Sequence, residues 1–102
     1  MATVNIIYPS GHNFDMDYYL KEHMPIVEKN WKQFGLQGFE IVHFSPGQQY
    51  QVQAILKWDS LDSYEVAKKS ATAAVVLGDI ANFTTAKPDI FFGNRNASKS
   101  FL

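Results

Sequence analysis

With 102 residues, 46% of them hydrophobic and 15% aromatic, the chain suits one compact domain over residues 1–102 and leaves no room for a second. Its formal net charge is -1, and Arg95 is the single arginine beside eight lysines, so neither a basic patch nor a bidentate phosphate clamp is expected and nucleic acid is not an expected partner. The absence of cysteine removes disulfides, thiolate zinc sites and cysteine nucleophiles together.

The opening TVNIIYP is rich in β-branched residues and stops at Pro9 before the turn cluster SGHN, which predicts a first strand. No basic region followed by a long apolar core precedes it, so a cytoplasmic location without membrane attachment is expected. Asp15 or Asp17 can accept from the free amides of a helix that runs to Phe34, where Gly35 supplies a stop. GFEIVHF and YQVQAILKW, separated by SPGQQ, predict a hairpin. Its second strand sets Val52, Ala54, Leu56 and Trp58 on one face and Gln51, Gln53, Ile55 and Lys57 on the other. Ser60 can cap LDSYEVAKKS, and after a break near Ser70 a small-residue helix, TAAVVLGDIANF, follows. The longest uncharged apolar run, ATAAVVLG, falls short of the roughly 20 residues that cross a bilayer. PDIFFGN predicts the last strand, with a loosely held tail beyond it.

The order βαββαβ predicts an α+β, ferredoxin-like fold: one antiparallel sheet with helices on one face. Ile6 beside Ile7, Ile41 beside Val42, and Ile90-Phe91-Phe92 put apolar residues on both sides of three strands, where a wet face should alternate. A two-fold homodimer packed through that second face would bury the surplus. The alternative leaves these side chains exposed.

At about 100° per residue, Met16, Tyr19, Leu20, His23, Ile26, Val27, Trp31 and Phe34 share one stripe of the first helix. Pro25 lies almost opposite, where water can replace the bond it denies to the Lys21 carbonyl, and its kink would bend the helix over the sheet. His23 then points inward, and a buried imidazole is costly unless its nitrogens are satisfied. Tyr19, one turn earlier, can line the same space. An imidazole and a phenol in an apolar pocket suit proton transfer, the histidine titrating near neutrality and the phenol orienting it or holding an oxyanion. The competing reading is a packed core histidine with both nitrogens satisfied.

The run FDMDYYLKEHMPIV resembles the signature of the EthD-like family, a branch of the dimeric α+β barrel superfamily, in which an aromatic pair precedes His-x-Pro in the first helix. The later GDIANFTTAKP is similar to that family's Asp-x-x-Asn-Phe segment. The resemblance covers nearly the whole chain. It implies a homodimer with sheets packed into a barrel and a small-molecule pocket in each subunit between sheet and helices. By position it assigns His23 to the His-x-Pro motif, Tyr18 and Tyr19 to the aromatic pair, and Asp79 and Asn82 to the later segment. The activities it implies are oxidoreductase-like, linked to ether degradation, or those of related barrels: polyketide cyclases and dehydratases, lactone isomerases and cofactor-independent monooxygenases.

The residues themselves sort these assignments. Tyr18 falls on the polar side of the helix and Tyr19 on the apolar side, so Tyr19 is the stronger partner for His23. Asp79 and Asn82 either serve the site or bond local backbone near a helix end. Tyr8 and Trp58, at strand ends, either wall a pocket for a flat apolar ligand or pack in the core. His12 sits in a turn and His43 in mid-strand. No histidine pair has metal-motif spacing, and GLQG follows a helix rather than a strand, so neither a metal nor a cofactor is expected. The expected function is a cofactor-independent enzyme for a small apolar, carbonyl-bearing or phenolic molecule, polyketide-like or aromatic. His23 is its acid/base and Tyr19 its orienting group, in lyase or isomerase chemistry such as decarboxylation, dehydration or cyclisation. The alternatives are a cofactor-free monooxygenase and a carrier that binds without turnover.

Overall fold

A computed structural model describes residues 1–102. Strand β1 (Ala2–Pro9) leads through a loop into a helical rod made of α1 (Met16–Tyr18), a π-helical stretch (Tyr19–His23), α2 (Met24–Trp31) and a 3-10 turn (Lys32–Phe34). The hairpin β2 (Leu36–His43) and β3 (Tyr50–Trp58) follows, then α3 (Leu61–Lys69), α4 (Thr72–Gly78), a 3-10 turn (Asp79–Asn82) and β4 (Asp89–Asn94). The sheet order is β2-β3-β1-β4 with every pair antiparallel, the ferredoxin-like α+β arrangement.

Local chemistry explains the boundaries. The Asp15 side chain accepts from the Tyr18 amide at 3.1 Å and Ser60 accepts from the Ser63 amide at 3.1 Å, capping the rod and α3. At the far end of the rod, Gly35 takes φ 120°, and a Cβ there would stand 2.6 Å from the Asp59 carboxylate, so both backbone and space demand glycine.

The inward face of the two central strands alternates large with small. Ala2 pairs with Trp58 and Ile6 with Ala54, while Val4 meets Leu56 and Tyr8 meets Val52. All but Ile6 are buried, and together with Tyr19, Met24, Val27 and Trp31 from the rod they form one core cluster. Each core methylene removed from water contributes about 0.8 kcal/mol, so packing between sheet and helices, rather than the propensity of the short helices alone, holds the fold.

The rod departs from a uniform helical wheel. Leu20, expected on the inward stripe, is 47% exposed, and Met24 is buried in its stead. The cause is the π turn, in which the Met24 amide bonds the Tyr19 carbonyl five residues back. That wider turn precedes Pro25, which has no amide to offer Lys21 and needs room beside it. It inserts one residue into the helical phase, turning His23 and Met24 inward together. Pro25 itself is exposed, as expected from its position on the wheel.

The sheet face away from the helices is mixed. Its register gathers Ile7, Ile55, Val42 and Phe91 with Asn5, Gln53, Glu40 and Lys57, the polar residues paired as Asn5 with Gln53 at 3.0 Å and Lys57 with Glu40 at 2.7 Å. Of the run Ile90-Phe91-Phe92, only Phe91 faces this side. Ile90 and Phe92 lie on the helix side, at an edge that the helices leave partly uncovered.

Candidate functional site

His23 is 4% exposed, and Asp79, delivered by the turn after α4, meets it across the chain: Nδ1 lies 2.8 Å from Oδ2. The other carboxylate oxygen, Oδ1, accepts from the Tyr18 hydroxyl at 2.6 Å and from Asn82 Nδ2 at 2.9 Å. Three side chains from two distant segments thus converge on the one Asp79 carboxylate. Asp79 and Asn82 engage side chains of the rod, and Tyr18, on the polar side of the wheel, is the tyrosine that bonds into this network. Tyr19 does not. It stacks on the imidazole, with ring centroids 5.4 Å apart and planes at 16°.

Electrostatics sets the resting protonation. Burial pushes the His23 imidazole below its ordinary value, against the opposing pull of Asp79, and favours the neutral ring near neutral pH. Burial would raise Asp79, but the hydrogen bonds from Tyr18, Asn82 and His23 outweigh it and hold the carboxyl below its ordinary range. An ionised carboxylate only accepts, so the imidazole proton sits on Nδ1 and the lone pair on Nε2. Nε2 forms no hydrogen bond within the chain, and it is not sealed away: the fully enclosed side-chain nitrogens and oxygens without a partner are the indole nitrogens of Trp31 and Trp58. The arrangement fixes the tautomer and leaves the Nε2 lone pair free to accept a proton.

His23 forms part of the wall of a small, predominantly apolar cavity between sheet and helices. The sheet contributes Ile6 and Tyr8, the rod contributes Tyr19 and Trp31, and a third wall comes from Val76, Leu77 and Ile80. The space open to a water-sized sphere is about 20 Å³, enough for about one water. Burial pushes the phenols of Tyr8 and Tyr19 well above the ordinary tyrosine range, so both stay neutral. Trp58 does not line this cavity; it packs behind it against Trp31 and Tyr64, with centroids 5.8 and 5.6 Å away.

Two residues that the sequence reading did not single out complete the surroundings. Phe83 lies 4.6 Å from the His23 ring and 4.8 Å from Tyr19, and Phe14 packs 5.2 Å from Phe83. A strap of bonds holds them: the Asp15 amide donates to the Phe83 carbonyl at 2.8 Å, and Thr84 Oγ1 donates to the Asn13 carbonyl at 2.6 Å. Phe83 adjoins Asn82 in the segment already noted, so its place in that motif was the available signal. His12 sits beside the strap, 3.0 Å from Thr85 Oγ1, and His43 is exposed on the edge strand β2. No group of three or more histidine, aspartate or glutamate side chains comes together to hold a metal.

No family model matches the sequence, and no curated protein matches it. Solved structures do. An EthD-like protein from Ralstonia eutropha shares 25% identity over 97% of this chain and 95% of that one, with a TM-score of 0.83. An ethyl tert-butyl ether degradation (EthD) family protein from Bacillus halodurans aligns over 94% of this chain and 99% of its own, at 16% identity and a TM-score of 0.74. A candidate antibiotic biosynthesis monooxygenase from Nitrosomonas europaea shares the fold at 11% identity, over 93% of this chain and 98% of that one, with a TM-score of 0.56. The fold is therefore that of the α+β barrel proteins. Within that class the arrangement of its elements is similar to that of the EthD-like proteins over nearly the whole chain.

Proposed function

We propose that this protein is a cofactor-independent enzyme for a small apolar or aromatic molecule, with His23 as general base and acid and Asp79 as the group that orients it. One observation carries the reading: the 2.8 Å contact between His23 Nδ1 and Asp79 Oδ2, with the imidazole on the wall of an apolar cavity. The free Nε2 would take a proton from an acidified carbon or hydroxyl of the ligand and return it to another atom, which suits decarboxylation, dehydration or cyclisation. Proton transfer of this kind contributes about 10²- to 10⁴-fold in rate. Tyr19 would hold the imidazole plane by stacking, while its neutral phenol and that of Tyr8 face the same space.

A ligand needs more room than the resting cavity offers. The sheet wall belongs to central strands bonded on both sides, and the rod is long; α4 has seven residues and no side-chain cap at its N-terminus. Outward movement of α4 is therefore the route of entry. We further propose a homodimer through the sheet face that bears Ile55 and Phe91, consistent with the resemblance to the dimeric barrels. The proposed location is the cytoplasm, where a small domain that needs no disulfide can fold, although the lack of cysteine itself leaves the redox compartment open.

A second reading, cofactor-free oxygenation, draws support from the fold shared with the Nitrosomonas europaea protein. Both readings are tested by incubating small-molecule extracts with the wild type and with folded His23→Gln and comparing masses. Loss of carbon dioxide or water from a compound consumed by the wild type alone supports the lyase reading, and gain of oxygen supports the second. Compounds retained by both proteins and consumed by neither would make the protein a carrier.

A further inference from the structure

Tyr8 and Tyr19 are each 1% exposed, and both line the cavity that His23 lines. Neither hydroxyl has a hydrogen-bond partner within the chain, although buried hydroxyls are ordinarily paired, as Tyr18 is with Asp79. Nor is either phenol oxygen sealed, in contrast to the indole nitrogens of Trp31 and Trp58. Each oxygen therefore holds part of the little surface its residue keeps open, and the cavity is the space that both residues line. Tyr8 comes from β1 and Tyr19 from the π turn, and their rings meet edge to face, 6.1 Å between centroids at 79°. Ionisation of Tyr8 would oppose that of Tyr19, so the two phenols are within electrostatic reach, and burial keeps both protonated and able to donate. One lone pair, on His23 Nε2, and two neutral O–H donors thus share a wall that is otherwise hydrocarbon.

We infer that the hydroxyls of Tyr8 and Tyr19 form an oxyanion hole, and that the substrate is a carbonyl compound bearing a hydrogen on the carbon next to the carbonyl. The inference rests on the proposed function, including the room that α4 provides, and names its substrate class. His23 Nε2 takes that hydrogen as a proton. The C–H electron pair becomes the C=C bond of an enolate, and the carbonyl π pair moves onto oxygen, where both O–H groups donate to it. Return of the proton to carbon regenerates the ketone. Its transfer to a hydroxyl leaving the next carbon gives dehydration, as the enolate collapses to the conjugated carbonyl. In an apolar wall these hydrogen bonds strengthen as charge develops on the oxygen, and that difference lowers the barrier.

The test uses 2-tetralone, a flat ketone with acidified hydrogens beside its carbonyl, in deuterated buffer. The wild type should speed deuterium uptake at those carbons above the buffer rate, read by mass, and His23→Gln should abolish the acceleration. Tyr8→Phe and Tyr19→Phe should each lower kcat for exchange by about 10²-fold with KM little changed, the loss expected for one oxyanion-hole donor. Both variants remove a hydroxyl that bonds nothing within the chain, so both should fold. A second readout is 2-naphthol, whose ionised form mimics the enolate. Its ionisation, followed by absorbance, should move to lower pH when it binds the wild type and move less in either Phe variant. Exchange that needs His23 but is unchanged in both Phe variants, or a 2-naphthol shift that both retain in full, overturns the oxyanion hole and leaves the base standing. Exchange unchanged in His23→Gln overturns the proposed function itself. No exchange by the wild type overturns the carbonyl assignment, and the extract experiment then decides the proposed function separately.

Discussion

His23 and Tyr18 grip opposite oxygens of one carboxylate: Nδ1 of His23 lies 2.8 Å from Oδ2 of Asp79, and the Tyr18 hydroxyl donates to Oδ1 at 2.6 Å. The tyrosine helps keep the carboxyl ionised, and the ionised carboxyl keeps the imidazole proton on Nδ1. The proposed base at Nε2 therefore depends on residues that do not line the cavity.

Asp79→Asn tests that dependence. The amide can present its N–H₂ to Nδ1 and so favour the wrong tautomer. We expect kcat to fall by about 10²-fold or more with KM little changed, in the range that general acid/base groups contribute. Steady-state kinetics on a substrate found by the extract experiment measures it, and an unaltered kcat removes Asp79 from the mechanism.

Stability should fall on mild acidification. The folded state holds His23 below its ordinary value of 6.5, so the unfolded chain takes up the proton more readily. The contribution of the neutral imidazole is complete above 6.5 and is lost as pH falls below it. Asp79, held below its ordinary 3.8, adds a loss of the same sign at lower pH, as pH falls from that value through its folded pKa. Melting temperatures recorded from about pH 8 to about pH 5 should decline in the wild type and decline less in His23→Gln. Parallel curves would show that His23 titrates alike in both states.

The two adjacent tyrosines should behave differently. Tyr19→Phe keeps the ring that stacks on His23 and removes a hydroxyl outside the Asp79 network, so stability should barely change. Tyr19→Ala should cost about 3–5 kcal/mol through the cavity it opens. Tyr18→Phe should raise the Asp79 pKa toward its ordinary value, with only a modest loss of stability because the side chain is partly exposed. Chemical denaturation and carboxyl-carbon NMR titration read these effects, and a large loss in Tyr19→Phe would reassign its hydroxyl.

Light scattering at micromolar concentration should give the mass of a dimer for the wild type. Ile55→Asp and Phe91→Asp place charges on the sheet face proposed to pair, and both should shift the mass toward a monomer while the helical signal in circular dichroism persists. A wild-type monomer would mean that this mixed face stays in water.

Much of the architecture was legible in the sequence because its signals are local. The alternation of Val52, Ala54, Leu56 and Trp58, the caps at Ser60 and at Asp15 or Asp17 (Asp15 in the structure), and the break at Ser70 each depend on neighbours a few residues away. His23 was legible as an inward-facing residue for the same reason. What tertiary structure alone decided depends on distance in sequence or on a change of helical phase. The π turn before Pro25 exchanged Leu20 for Met24, which no uniform period expresses. The partner of His23 lies 56 residues away, brought near by the path of the chain through the hairpin and α3. That same path assigned Tyr18, not Tyr19, to the carboxylate and set Trp58 behind the cavity. A helical wheel states which side chains share a face; only the packing of the α4 segment against the rod determines which polar atoms meet.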